Sequence, residues 1–254
     1  MSRTLARRLF AECLGSAFLA AIVIGSGIAA QQLSPANVGL ELFENAAATA
    51  AGLFAIILMF GPVSGAHFNP VVSLVDAALG GLSGRELRAY IPAQVVGCIV
   101  GAIAANLMFV HPAISIATHH RAAPAHLLSE AIATVGLLLV IFSLARSHRG
   151  AAAPAGVGAY IGAAYFFTSS ASFANPAISV GRIFSNTFAG IAPASVPAYV
   201  VAQLVGAALA LGAIRVLYPS ITAQDSARVV GCPHVDGGGT VSSPAATSAA
   251  ADRG

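Results

Sequence analysis

Charge and tryptophan are what this sequence has least of. Of its 254 residues only 8% are charged, none is tryptophan, and all 12 basic residues are arginine. In soluble domains about a quarter of the residues are charged. A chain that is 57% hydrophobic has too few polar residues to cover its own surface in water. The composition therefore excludes an ordinary soluble domain and indicates a lipid environment.

The patterns of metal sites and catalytic centres are also missing. The three cysteines, Cys13, Cys98 and Cys232, are too scattered for a disulfide framework or a zinc site. The sequence has no phosphate-binding glycine loop and no nucleophile-and-base arrangement. We therefore expect no enzyme activity, no cofactor and no metal. The net charge of +3 follows from membrane topology, and we expect no nucleic-acid partner.

Long apolar segments dominate the chain instead. Crossing a bilayer takes about 20 helical residues, and six segments approach that length: 10–30, 46–62, 89–110, 126–145, 151–169 and 196–217. We predict a channel domain over 1–218, with halves at about 8–110 and 126–217, and a flexible cytoplasmic tail over 219–254. A cleaved signal peptide is the alternative for the first segment, but Glu12 interrupts its apolar run.

The arginines predict the orientation of the spans. With the N-terminus in the cytoplasm, six spans place ten of the 12 arginines on the cytoplasmic side, and only Arg121 and Arg182 lie elsewhere. This bias is the one that the positive-inside rule describes. We expect a multi-pass protein of the inner cell membrane, embedded in the lipid bilayer, with both termini in the cytoplasm.

Polar landmarks recur in the two halves in the same order. AECLGS, with Glu12, is matched by SEAIAT, with Glu130; FNPVVSL, with Asn69, is matched by ANPAISV, with Asn175; and AQVVG is matched by AQLVG. Each half has three spans, so the second half enters the membrane from the opposite side. The sequence therefore predicts an inverted repeat.

Each Asn-Pro pair begins an apolar segment too short to span, at 69–79 and 175–184. Proline is favoured in the first turn of a helix and asparagine caps helices well, so each pair indicates a half-helix that starts inside the membrane. Irregular backbone at that depth is tolerated only when it is buried or lines water. Two such loops from opposite faces predict a water-lined passage. An ordinary turn is the alternative, and the matched second copy disfavours it.

These motifs resemble those of the major intrinsic protein family, the aquaporins and aquaglyceroporins. SGAHFNPVVSL and SFANPAISVGR correspond to the two Asn-Pro-Ala boxes of the family, in a match over about 10–217. The resemblance implies an all-α membrane fold with six transmembrane helices and two re-entrant half-helices, assembled as a homotetramer. It also implies which residues lie at the pore centre: Asn69, Pro70, Val71, Asn175, Pro176 and Ala177.

Ile178 is the largest departure from the family pattern, because the family nearly always has arginine directly after the second box. Counting back from the boxes without gaps assigns the other selectivity-filter positions to Thr49, Ala163 and Ser172, none of them bulky or aromatic. A wide, uncharged filter predicts passage of small neutral solutes: water, glycerol, urea and metalloid acids such as arsenous acid. The stretch GRIFSNTFAGIAP is similar to bacterial members found with arsenic-detoxification systems. Val71, where alanine is usual, is a smaller departure.

Four further residues complete the candidate site. Arg182 follows Ile178 by one helical turn, and we hypothesise that it is a displaced positive charge at the outer mouth; a solvated loop arginine is the alternative. His67 matches a family position that faces the pore, with a packed histidine as the alternative.

Glu12 and Glu130 are carboxylates within spans. They accept hydrogen bonds from the re-entrant loops, which the resemblance favours, or they carry protons. An ion-coupled secondary transporter is therefore the alternative function from another class. A plain water channel is the nearest alternative within the family.

Overall fold

The computed structural model describes residues 3–219, so the predicted tail, including Cys232, lies outside the described residues apart from Pro219. Within the described part the chain forms eight α-helices joined by loops and short 3-10 turns. Their bounds are α1 Arg3–Leu33, α2 Val38–Ser64, α3 Pro70–Ala78, α4 Gly84–Met108, α5 Pro124–Arg146, α6 Ala153–Phe167, α7 Pro176–Gly181 and α8 Val196–Leu217.

Five helices, α1, α2, α4, α5 and α8, are long and apolar enough to cross a bilayer. The remaining predicted span is α6, which has 15 residues and is preceded by the 3-10 turn Gly150–Ala152. An α-helix of that length rises about 22 Å and the turn adds about 6 Å, close to the hydrocarbon thickness of about 30 Å. All six predicted spans are therefore helical.

The outside of the bundle is apolar, as a lipid-facing surface must be. Large hydrophobic side chains stand exposed on several helices, among them Leu58, Met59, Phe166, Phe167, Val201 and Leu209. Such a surface is unfavourable in water but costs nothing against lipid tails. The fold is that of a multi-pass membrane protein.

The two halves pack in the same way. Helix α1 packs against α4 and α2, and its counterpart α5 packs against α8 and α6. The half-helices cross between the halves, since α3 contacts α8 and α7 contacts α4. The predicted inverted repeat is thus built from two interlocked units, and each half-helix is held by both of them.

Glycine in the matched motifs AQVVG and AQLVG explains how closely these helices approach. A Cβ on Gly97 would lie 2.1 Å from the carbonyl oxygen of Cys13, and one on Gly206 would lie 2.6 Å from that of Ala131. No side chain fits at either distance, so only glycine lets α4 lie against α1 and α8 against α5.

Asn69 and Asn175 cap the two half-helices at the predicted positions. The Asn69 Oδ1 accepts a hydrogen bond from the backbone N–H of Val71 at 3.0 Å, and the Asn175 Oδ1 accepts one from that of Ala177 at 2.9 Å. A proline occupies the first turn in each case. Helix α7 continues as a 3-10 turn to Phe184, which is the end predicted from the sequence.

Candidate functional site

A cavity of about 80 Å³ lies between the helices and the re-entrant loops. A cavity of this size has room for water molecules. Helices α2 and α6 line it with residues four apart, which share one face of each helix. These residues are Thr49, Leu53, Ile57, Val157, Ile161 and Tyr165, and α1 and α5 add the apolar side chains of Leu19, Val23, Leu137 and Ile141. Its polar side is formed by the two loops, over 65–69 and 172–175.

The two box asparagines lie on the cavity wall and bond across to the opposite loop. The Asn69 Nδ2 donates to the carbonyl oxygen of Ala174, and the Asn175 Nδ2 donates to that of Phe68, both at 2.8 Å. An amide nitrogen has two N–H groups, so each asparagine keeps a second donor. The half-helix N-termini carry partial positive charge at the same place, which suits a neutral solute's oxygen and disfavours a cation.

The other box residues support this centre from behind. Four of them are buried but do not line the cavity: Pro70, Val71, Pro176 and Ala177. Each half-helix instead lines the cavity with the residue three positions after its box asparagine. These residues are Val72 in α3 and Ile178 in α7. Val71 is fully buried, so its extra methyl groups point away from the passage.

Both loops contain strained backbone at matched positions. Residues one and three before each asparagine have left-handed φ angles: Ala66 (49°), Phe68 (48°), Ser172 (45°) and Ala174 (45°). A non-glycine residue in that region costs about 1–3 kcal/mol, so the surroundings must hold it. The carbonyl groups of Phe68 and Ala174, which accept from the asparagines, are fixed by this geometry.

Glu12 holds the first loop. Its carboxylate accepts hydrogen bonds from Ser64 Oγ at 2.6 Å, from the backbone N–H groups of His67 at 3.0 Å and Phe68 at 2.8 Å, and from Gln94 Nε2 at 2.8 Å. The side chain is fully buried. These bonds satisfy backbone donors that would otherwise be unpaired at membrane depth.

Glu130 does the same for the second loop. Its carboxylate accepts from the backbone N–H groups of Phe173 and Ala174, each at 2.9 Å, and from Gln203 Nε2 at 2.6 Å. Both oxygen atoms are therefore engaged, as in Glu12. These are the contacts that the hydrogen-bond-accepting interpretation of the two carboxylates requires.

Three of the four predicted filter residues, Thr49, Ser172 and Ile178, line the cavity, and the fourth does not. Ala163 is exposed on the outside of α6, so its assignment to the filter was wrong. Tyr165 lines the cavity instead, with its hydroxyl 3.2 Å from Thr49 Oγ1. Two helical residues turn the chain by about 200°, which puts Ala163 on the opposite face. The filter region therefore contains an aromatic ring, contrary to the sequence prediction.

His67 belongs to the cavity wall, but its ring is packed into the protein. Its Nδ1 lies 3.0 Å from Ser73 Oγ, its ring meets the Tyr90 ring edge-on at 5.6 Å, and its Nε2 lies 3.8 Å from Asp76 Oδ2. The side chain is only 6% exposed. The packed alternative describes this ring better than a pore-facing one.

Arg182 is buried, contrary to the alternative of a solvated loop arginine. Its guanidinium lies over the Phe173 ring, 3.5 Å from the ring centre, and its Nε donates to the carbonyl oxygen of Ala189. A second guanidinium, that of Arg121, lies 5.8 Å from the same ring centre. Arg121 comes from the loop between α4 and α5, and burial lowers the pKa of its guanidinium below the ordinary value.

Sequence reasoning missed three of these residues: Tyr165, Arg121 and Asp76. Tyr165 continues the four-residue spacing from Val157 through Ile161, a signal that the sequence contains. Asp76 is buried and stands seven residues after Asn69, as Arg182 stands after Asn175, so the repeat marks it too. Arg121 has no such signal, because a loop brings it to the site.

Comparisons with known proteins agree with this geometry. The family model described as "Major intrinsic protein" matches residues 1–182. The chain is 48% identical over 211 residues to the aquaglyceroporin AqpS of Rhizobium meliloti, covering 83% of this chain and 90% of that protein. It is 31% identical over 217 residues to aquaporin NIP1-1 of Zea mays, covering 79% and 71%.

A solved structure shares the fold. The X-ray structure of the aquaglyceroporin from Plasmodium falciparum superimposes with a TM-score of 0.64 over 85% of this chain and 98% of that one. The two sequences are 20% identical, so this similarity shows a shared fold and does not show a shared function.

Proposed function

The chain belongs to the major intrinsic protein family, a family of membrane channels, and on that premise we propose that it passes small uncharged solutes passively. The solute class comprises water, glycerol and neutral metalloid acids such as arsenous acid. The observation that carries the proposal is the uncharged side chain of Ile178 on the cavity wall, in the region of Thr49, Ser172 and Tyr165.

The polarity of this region suits neutral polyhydroxylated solutes. Thr49 and Ser172 carry hydroxyls, Tyr165 adds a third, and Ile178 offers an apolar side. A buried arginine here would need hydrogen-bonding partners and would take up space. Without one, a solute larger than water has both room and hydroxyl groups to bond with. The name of the relative AqpS, an aquaglyceroporin, supports glycerol as one such solute.

The positions and partners of the buried carboxylates favour passive passage over ion-coupled transport. Among the described residues, no aspartate or glutamate lines the cavity. Glu12 and Glu130 are engaged by loop N–H groups and by glutamine side chains. A coupling site would need a carboxylate that the passing ion can reach.

The assembly and orientation are parts of the same proposal. We propose that both termini are cytoplasmic, since Arg7, Arg85, Arg146 and Arg215 belong to helix ends at the face where α1 begins. Arg121 belongs to a loop at the opposite face. The family resemblance supports a homotetramer in the inner cell membrane.

Flux into liposomes that contain the purified protein tests the proposal. We expect glycerol entry that rises linearly with the glycerol gradient and does not respond to a proton gradient, with protein-free liposomes as the control. Saturation together with a proton response would support the secondary transporter. Entry of water alone would support the plain water channel.

A further inference from the structure

Matched positions of the repeat hold a carboxyl group after the first box and a guanidinium after the second. Asp76 and Arg182 are each the seventh residue after the box asparagine, two helical turns along and so on the same face. Each contacts the ring two residues before that asparagine: Asp76 Oδ2 is 3.8 Å from His67 Nε2, and the Arg182 guanidinium is 3.5 Å from the centre of the Phe173 ring. Both side chains are buried, with 4% and 3% exposure.

Arg182 does not line the cavity itself, but its guanidinium lies over Phe173, a residue that does. It follows Ile178 by four residues, so it lies on the same helical side one turn nearer the end of the half-helix. Ile178 lines the cavity, and so does Phe173, over which the guanidinium lies. The charge therefore stands just beyond the filter region, on the face opposite to that where α1 begins.

The hydrogen bonds of Arg182 are incomplete. Its Nε donates to the carbonyl oxygen of Ala189, but its two terminal nitrogens have no hydrogen-bond partner within residues 3–219. Neither nitrogen is among the fully buried unpartnered atoms, so each keeps some accessible surface. A guanidinium has five N–H donors in a planar fork, and four of them are left for oxygen atoms from outside the chain.

Arg121 reinforces the charge at this point. Its Nε donates to the carbonyl oxygen of Gly190 and one terminal nitrogen donates to that of Phe188, each at 2.9 Å. Together with the bond from Arg182 to Ala189, these bonds attach both guanidinium groups to the segment over 188–190. The Glu130 carboxylate also lies at this loop, where it accepts hydrogen bonds from loop N–H groups. Two guanidinium groups and one carboxylate leave a net positive charge beside Phe173.

We propose that Arg182, positioned by Phe173 and Arg121, is a specificity-determining residue that excludes cations one helical turn beyond Ile178. The inference rests on the proposed channel function and adds a division of roles to it. Ile178 leaves the filter region uncharged, while Arg182 provides the repulsion where the low-dielectric walls concentrate the field.

The test measures potassium and glycerol fluxes in the same liposomes for wild type, Arg182→Gln and Arg182→Lys. We expect Arg182→Gln to raise the ratio of potassium to glycerol flux by about tenfold. Arg182→Lys keeps the charge and should stay near the wild-type ratio. Arg215→Gln removes an exposed arginine at the other face and should leave the ratio unchanged. Arg121→Gln should give a smaller rise than Arg182→Gln.

Two results would overturn the inference: a wild-type ratio in Arg182→Gln, or equal leaks in Arg182→Gln and Arg182→Lys. Equal leaks would mean that the loss of packing, and not of charge, opens the path. The glycerol measurement separates this inference from the proposed function. If wild-type liposomes admit no neutral solute, the proposed channel function is contradicted. If Arg182→Gln leaves the ratio of potassium to glycerol flux unchanged, only the role of Arg182 in excluding cations is contradicted.

Discussion

Thr49 Oγ1 and Tyr165 Oη lie 3.2 Å apart and join α2 to α6 on the cavity wall. The two residues are 116 positions apart in the chain, one in each half of the repeat. Both are buried. Because a tyrosine ring is large, we expect the size limit for solutes to depend on this contact as well as on Ile178.

Removing the Tyr165 ring should therefore widen the passage. We expect Tyr165→Ala to raise glycerol permeability relative to water permeability by about tenfold, measured by stopped-flow light scattering of liposomes. Tyr165→Phe keeps the ring and loses only the hydroxyl, so its ratio should stay near that of wild type. If Tyr165→Phe raises the ratio as much as Tyr165→Ala, the hydroxyl and not the ring sets the limit. If neither variant changes the ratio, Tyr165 does not limit solute size.

Tyr165 also shows where the sequence was insufficient. A gap-free count back from the second box reached Ala163, because the length of the loop between α6 and the box cannot be read from the sequence. The helical face could have been read, since Val157, Ile161 and Tyr165 are four apart. The half-helix starts at Asn69 and Asn175 were predictable, because capping and proline placement are local effects.

Contacts between residues far apart in the chain were harder to predict from the sequence than local features. The cost of a carboxylate in a span left two alternatives for Glu12 and Glu130, and the family resemblance favoured the one in which they accept hydrogen bonds from the loops. Arg121 reaches Phe173 through a loop whose path depends on the folded structure. No spacing in the sequence indicates that contact.

Loss of a loop-supporting carboxylate should destabilise the fold. Glu130→Ala leaves the N–H groups of Phe173 and Ala174 and the amide of Gln203 without their acceptor. Each unpaired buried donor costs about 1–3 kcal/mol, so we expect a loss of about 3 kcal/mol or more, seen as a lower unfolding temperature in detergent.

Glu44→Ala is the matched control for that loss. The Glu44 carboxylate accepts one hydrogen bond, from Ser34 Oγ at 2.9 Å, and its other oxygen is buried without a partner in the described chain. The unfolding temperature of Glu44→Ala should stay close to that of wild type. An equal fall in both variants would contradict the assigned role of Glu130.

The contact between α1 and α4 gives a second stability prediction. A Cβ on Gly101 would lie 2.1 Å from the carbonyl oxygen of Ala17, so Gly101→Ala must push the two helices apart. We expect a destabilisation of about 1–3 kcal/mol in the same unfolding assay. Gly212 has no atom within 4 Å of such a Cβ, so Gly212→Ala should be neutral or stabilising by up to about 1 kcal/mol. A stable Gly101→Ala variant would contradict the close approach.

The central claim is that the uncharged Ile178 admits solutes larger than water. Its most direct test is stopped-flow permeability to water, glycerol and arsenous acid for wild type, Ile178→Arg and the volume-conserving control Ile178→Leu. The account predicts that wild type conducts all three solutes. It also predicts that Ile178→Arg lowers the permeability to glycerol and arsenous acid more than the permeability to water, and that Ile178→Leu does not. A wild type that passes water alone, or an Ile178→Arg variant that still passes all three equally, would contradict it.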